Sequence, residues 1–420
     1  MKNFVYVFTQ RSLLIILGFI TLFFVTLLLD DHQQGYYYTF GSIISAYNLF
    51  ELGLPFLILQ ISSKYFKVHG ETYELNHSSY NFIYTLRKYL TLKCLISLLI
   101  FIPAGVLYFY LFSEHKQFEI FFFWIIVSVA IPFAIYTNTV LSLIEGLGEI
   151  KNVYLIKTIG LVSGSVCLWI LLNSKYYLIG PSVIIIFTFL ATISLIVYKY
   201  KFWFSKNRQP IQKIWKNEIY PIQKKVAYVI LANYLFYFTP TILIFPYSVS
   251  DAGKFGLSVV VISSILALSS SFFQSKIYFF TNQFNNNDIL GSNKTFLSSF
   301  LISQIIYIII SITFFLFYYY VLPDFILSRL LNANYLFILF INYFMMNNIY
   351  LFSFFFRIRK KDSFSFFYFL SVVIMLLLQL AFLNDDHLKA ILYSQSFIFS
   401  FLFICSIFLL FKISNFKIKY

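Results

Sequence analysis

The sequence predicts an all-α integral membrane protein of twelve transmembrane helices arranged as two six-helix bundles. Three observations predict it. The 420 residues are 60% hydrophobic and only 11% charged, with a mean hydropathy of +0.81, a balance no soluble domain has. Apolar runs long enough to cross about 30 Å of hydrocarbon at about 1.5 Å per residue fill the chain almost end to end. The last six runs repeat the first six at an offset of about 212 residues, the pattern of a parallel internal repeat. Runs such as Ser12–Leu29 are uninterrupted, so the ten-residue alternation of a membrane β-barrel is absent.

The elements follow in order. Ser12–Leu29 is the first span; it lacks a small-residue cleavage site and a second span follows it, so it reads as a retained anchor. The second span covers about Tyr36–Ile61, entered through the short turn Asp30–Gly35. Ser113–Gln117 joins the third and fourth spans, and Asn173–Tyr177 joins the fifth, Asn152–Leu172, to the sixth, Leu178–Tyr198. A basic segment, Lys199–Lys225, separates the halves. The seventh span, Val226–Pro246, leads through Tyr247–Gly256 into the eighth, and Val321–Asn334 joins the ninth to the tenth. Ser363–Leu383 and Ala390–Phe411, joined by Asn384–Lys389, are the eleventh and twelfth. The expected organisation is therefore an N-terminal bundle at 1–198, a cytoplasmic linker at 199–225 and a C-terminal bundle at 226–420.

The net charge of +15 is an orientation signal and not a nucleic-acid footprint. With the N-terminus taken as cytoplasmic, 23 Lys and Arg fall on the cytoplasmic side, five on the other, and three inside spans. The positive-inside rule then puts both termini in the cytoplasm. The linker carries eight cations and Trp203 and Trp215, a composition suited to an anionic inner leaflet. Cys94, Cys167 and Cys405 lie far apart within spans and suggest no disulfide framework. Heavy use of Phe, Ile, Lys, Tyr and Asn points to an AT-rich genome, and a bacterial inner membrane is the expected home.

Several function classes are disfavoured. Membrane sugar transferases and glycan polymerases usually carry their chemistry on a large outward loop, and every outward loop here is short. No phosphate-cradling G-x-x-x-x-G-K-[ST], no H-E-x-x-H, no Cys/His metal spacing and no nucleophile elbow occurs, so no cofactor is expected. All five histidines lie in predicted loops.

What remains is a small set of charges at membrane depth. Glu51 sits about ten residues, or about 15 Å, from the inner end of its span, where a short carboxylate cannot reach water. Gly53 and Pro55 follow; proline removes the backbone donor that would bond the Glu51 carbonyl, so a kink is expected beside the acid. Lys64 and Lys276 close the second and eighth spans in similar settings at the repeat offset, a pair suited to a polyanion such as a pyrophosphate. Snorkelling to the interface is the competing account of both. Lys157, Lys93 and Arg11 lie within a turn or so of span ends and read more readily as anchors. Asn138, Asn347, Asn348 and Asn233, the last beside Pro240, read first as interhelical hydrogen bonding.

Leu29-Asp30-Asp31-His32-Gln33-Gln34-Gly35-Tyr36-Tyr37, followed by Phe50-Glu51-Leu52-Gly53-Leu54, resembles the opening of polysaccharide and O-antigen flippases of the multidrug/oligosaccharidyl-lipid/polysaccharide (MOP) exporter superfamily. Glu145-Gly146-Leu147-Gly148 is similar to that family's Gly-containing inner turn, and Asp251-Ala252-Gly253-Lys254-Phe255 echoes the first turn. The eighth span departs from the pattern, reading Leu268-Ser269-Ser270-Ser271-Phe272 where acid-x-Gly-Leu would stand.

The resemblance implies a MATE-like pair of six-helix bundles. It also implies movement of an undecaprenyl-pyrophosphate-linked oligosaccharide, an O-antigen or capsule repeat unit, from the inner to the outer leaflet. It implies a cation-lined cavity too, for which Arg11, Lys64, Lys157 and Lys276 match by type and position, with Glu51 pairing a cavity Lys or carrying a coupling proton. Expected partners are the lipid-linked oligosaccharide, membrane lipids, a coupling ion (proton or sodium), and glycan polymerase and chain-length proteins. The rival within the superfamily is a cation-coupled multidrug antiporter, disfavoured because Lys outnumbers acid at depth.

Overall fold

The computed structural model describes residues 2–69, 72–74, 77–113, 118–204, 219–285, 288–358, 363–384 and 386–414. The middle of the expected linker (205–218), residues 114–117 of one turn expected to face outward, and the side chain of Lys64 lie outside the described set. The described chain is helical apart from a small antiparallel hairpin, β1 (Lys67–His69) with β2 (Thr72–Glu74), in which Lys67 pairs with Glu74.

Among the described residues, ten helices are long and apolar enough to cross a membrane, and a bent pair makes eleven. The twelfth expected span, the seventh in order, is broken. It comprises α10 (Tyr220–Tyr237) and α11 (Thr239–Ile244), the break falling just before Pro240, and its apolar helical part, Val226–Tyr237, is short of a full crossing. Proline at the second position of α11 suits a helix start and cannot continue the preceding helix.

Contacts divide the chain into two compact units, Met1–Tyr234 with Thr241–Gly253, and Leu235–Pro240 with Lys254–Tyr420. In the first, α1 (Lys2–Leu28) packs on α8 (Ile150–Leu172), which lies along α9 (Gly180–Lys199). Gly160 and Gly164, four apart on one face of α8, permit the second of these contacts. A Cβ at Gly160 would come within 2.6 Å of the Thr188 Cα, and one at Gly164 within 2.7 Å of the Ile184 Cα. Helices in lipid gain no hydrophobic drive from meeting, so such small-residue stripes, which maximise van der Waals contact, decide which faces pair.

The second predicted span is three helices: α2 (Asp31–Ile44), α3 (Tyr47–Glu51) and α4 (Leu54–Tyr65). Asp30 caps α2 by accepting from the Gln33 amide at 2.7 Å, while the Gln33 side chain accepts from the Asp30 amide, a reciprocal capping box. The helix axis turns by 44° between Glu51 and Leu54. There Leu52 (φ 47°) and Gly53 (φ 74°) both take the left-handed region, and Pro55 sits in the first turn of α4. That region costs an L residue about 1–2 kcal/mol, whereas glycine enters it freely. α4 then packs on α7 (Ala130–Gly146), as do α9 and α5 (His77–Phe112). The two turns that resemble each other in sequence also meet inside this unit: Gln34 Nε2 donates to the Gly253 carbonyl at 2.9 Å, and Gly253 lies against the Gly35 backbone.

α12 (Val249–Asn285) is one unbroken 37-residue helix whose residues from Lys254 onward belong to the second unit, and α13 (Ile289–Tyr320) follows it there. Further on, α15 (Ala333–Ile358), α16 (Ser363–Phe382) and α17 (His387–Ser414) pack together, after a single turn α14 (Asp324–Leu327). Asn342 fastens α15 to α17, donating to the Leu392 carbonyl at 3.0 Å and accepting from Ser396 at 2.8 Å.

Candidate functional site

The bend in the second span frees main-chain acceptors at membrane depth, and the first unit spends four side chains on the opening. Glu51, the last residue of α3, is buried, and its Oε1 accepts from Asn138 Nδ2 of α7 at 2.8 Å. Lys93 of α5 sends its Nζ to the Phe50 carbonyl in a short hydrogen bond, with the Glu51 carbonyl 3.4 Å away. Gln223 of α10 is buried and donates to that same Glu51 carbonyl at 3.2 Å. The Tyr89 ring lies under the Lys93 ammonium at 4.7 Å. Two carbonyls that no helical N–H reaches are thereby satisfied, as a low-dielectric setting demands. The ammonium approaches the backbone of Glu51 and not its carboxylate, which has Asn138 instead.

Lys93, read from the sequence as an anchor near the start of the third span, is the residue whose depth that reading underestimated. It seemed one turn into the third span because His77–Lys88 is polar enough to read as loop. The helix in fact starts at His77 and runs 36 residues, which puts Lys93 about 24 Å from its first residue. Gln223 was assigned to the surface linker, yet it belongs to a helix packed in the first unit. Tyr200 and Trp203 of the expected linker are also buried, with Arg87 Nη1 donating to the Trp203 carbonyl at 2.8 Å.

The structure brings Arg11 and Lys157 together at the other candidate cluster. Lys157 Nζ is 3.6 Å from Glu145 Oε2 and 4.9 Å from the Tyr154 ring centre. Tyr154 reaches Glu145 Oε1 at 3.4 Å, and Arg11 lies within electrostatic reach of the same tyrosine. Beside it Glu149 takes Lys199 at 2.8 Å. This is a basic, partly exposed cluster at the helix ends expected to face the cytoplasm, separate from Glu51.

Lys276 stands apart, in the second unit. Its Nζ lies 5.8 Å from the Phe272 ring centre and 5.2 Å from that of Phe279, in a recess of about 250 Å³ between α12 and α13. Gln283, Thr295, Ser298 and Ser299 supply the rest of its lining. Lys64 lies in the last turn of α4. Among the described residues no group of three His, Cys, Asp or Glu could hold a metal ion.

No family model and no curated protein sequence matches the chain. Solved structures do. The chain is similar to an inward-facing multidrug resistance MATE family transporter of the MOP superfamily (TM-score 0.65, 13% identity, covering 97% of this chain and 96% of that one). It is similar to the lipid II flippase MurJ in an inward closed conformation (TM-score 0.70, 12% identity, 97% and 87% covered). A third is a MOP superfamily transporter from Pyrococcus furiosus, described as having a binding pocket of reverse polarity (TM-score 0.54, 11% identity, 96% and 94% covered). At these identities the likeness is one of fold: the chain has the all-α membrane fold of MOP superfamily transporters.

Proposed function

We propose that this chain, folded as MOP superfamily transporters are, is a flippase. Its cargo is a polyprenyl-pyrophosphate-linked oligosaccharide, such as an O-antigen or capsule repeat unit, carried from the inner to the outer leaflet of a bacterial inner membrane by alternating access. The observation that carries the reading is the balance of charge in and beside the spans. Lys157 pairs with Glu145 at one end of the first unit, and Arg11 acts on the neighbouring Tyr154. Lys276 fills a recess with two serines, a threonine and a glutamine in the second. Cations with hydroxyl and amide donors beside them suit phosphate oxygens.

A multidrug antiporter for cationic cargo needs an open acid instead. Glu51, the one buried carboxylate among the described residues, is held by Asn138. That this fold also serves a lipid II flippase supports a lipid-linked cargo.

The test is complementation of a strain lacking its own flippase, with surface glycan as the readout. The wild-type chain restores glycan, while Lys276→Ala and Glu51→Gln, expressed at equal levels, do not. Full complementation by both variants would remove these residues from the mechanism. Failure of the wild type, together with drug resistance conferred by it, would favour the antiporter.

A further inference from the structure

The Lys93 ammonium is bounded by two main-chain carbonyls on one side and an aromatic face on the other: Phe50 O, Glu51 O at 3.4 Å and the Tyr89 ring at 4.7 Å. Carbonyl oxygens freed by a broken helix are the usual means by which membrane proteins hold a monovalent cation at depth. An aromatic face adds attraction for an organic ammonium. Here the cation is covalently attached to the chain. We propose that the break in the second span is a binding site for a primary ammonium group, that Lys93 is its resident ligand, and that removing the Lys93 side chain turns it into a site for a small free alkylammonium ion.

Three features make the site selective. The acceptors are neutral carbonyls at hydrogen-bonding distance, so the ligand must bring N–H donors; a quaternary ammonium has none. Gln223 already occupies part of the Glu51 carbonyl at 3.2 Å, which leaves that oxygen a secondary acceptor. The carboxylate of Glu51 is turned to Asn138 at 2.8 Å, so it contributes field and not coordination. A metal ion placed there would find too few oxygens, and the site is therefore one for ammonium and not for sodium. In the intact protein, the bend is held by a group that no change in sodium concentration can displace. This inference stands apart from the identity of the transported molecule.

The test needs no substrate. Full-length wild type, Lys93→Ala and Lys93→Met are purified in detergent, and thermal unfolding is followed at constant ionic strength. The added salts are n-propylammonium, tetramethylammonium, sodium and potassium chlorides. n-Propylammonium reproduces the Cγ, Cδ, Cε and Nζ atoms that Lys93→Ala removes.

The wild type responds alike to all four salts. Lys93→Ala unfolds at lower temperature and recovers about half or more of the lost shift in n-propylammonium, saturably at about millimolar concentration, by mass action on the folded state. Lys93→Met fills the stem's channel without charge, and it too unfolds early but is not rescued. If Lys93→Ala can be purified only with n-propylammonium present, that is the same rescue.

Equal recovery in tetramethylammonium, recovery in sodium alone, rescue of Lys93→Met, or wild-type stability in both variants would overturn the proposal. So would failure to recover Lys93→Ala in any of the four salts.

Discussion

Glu51→Gln and Glu51→Ala separate what Glu51 does for the fold from what it does as an acid. Glu51→Ala deletes the oxygen that accepts from Asn138 Nδ2 at 2.8 Å. Interhelical hydrogen bonds in membranes contribute about 0.6 kcal/mol, up to about 1.7. The Asn138 amide on α7, half-buried and also hydrogen-bonded to Tyr47, then loses one of its two partners, which costs up to about 1–3 kcal/mol. Removing four heavy atoms from a buried position adds a cavity cost of the same order. The expected loss for Glu51→Ala is about 2–4 kcal/mol.

Glu51→Gln keeps an acceptor at the same reach and the same volume, so its cost is under about 1 kcal/mol. Thermal and denaturant unfolding in detergent measures both. Translocation of lipid-linked oligosaccharide in reconstituted vesicles, read by an impermeant enzyme or lectin, measures function. The expected pattern is a Gln variant that is folded and inactive and an Ala variant that is unstable. Equal instability of the two variants would mean that the carboxylate, and not the acceptor geometry, holds the fold; normal transport by Glu51→Gln would mean that the acid takes no part in movement.

The other predictions concern packing and the outer clusters. Gly164→Val drives a side chain into the Ile184 backbone, where even a Cβ would sit 2.7 Å from the Cα; a loss of about 1–3 kcal/mol is expected from unfolding curves. Gly53→Ala meets strain at φ 74° and a Val226 methyl 2.4 Å from the new Cβ, so it is expected to unfold earlier than wild type, whereas Pro55→Ala, whose imino nitrogen is replaced by a donor, is milder. Lys157→Met breaks a partly exposed pair with Glu145 and is expected to change stability by under about 1 kcal/mol, because such pairs are screened, while transport falls if the cluster receives phosphate. Gln379 and Gln395 are fully buried with neither amide atom meeting a hydrogen-bond partner, so Gln379→Met is expected to raise the unfolding temperature; a fall would mean that the amide is bonded in the membrane.

The parts of this architecture that hydropathy controls were legible. A span is a run of apolar residues, and its identity does not depend on its neighbours, so the positions of most spans follow from the sequence. The bend beside Glu51 was legible as well, since Gly53 and Pro55 disrupt a helix from within their own segment. What could not be read depends on partners distant in sequence. Asn138 looked like interhelical hydrogen bonding, and it is; that its partner is Glu51, 87 residues away, no local pattern reveals. Lys93 and Gln223 were misjudged for a common reason: each lies in a helix that continues into polar sequence. Composition marks where lipid ends, and a helix is free to run on past that point, as α5 and α12 do over 36 and 37 residues.

The repeat sharpens this distinction between composition and site. Moving the polar cluster of the first half by the repeat offset of about 212 residues replaces Glu51, Gly53 and Pro55 with Ser263, Ile265 and Ala267. None of these bends a helix, and α12 runs straight through them. Lys93 becomes Ile305, exposed at 55%, and Asn138 becomes Tyr350. The acid, the break and both of the groups that hold them thus vanish together in the second copy, while the apolar pattern that makes the spans persists. A break without Lys93 would leave carbonyls unsatisfied, and Lys93 without the break would be an unpartnered cation in lipid; each costs several kcal/mol. The five residues are therefore one unit, present whole or absent whole, and a chimera carrying Glu51 and the break into α12 is expected to fold only when Ile305→Lys and Tyr350→Asn accompany them.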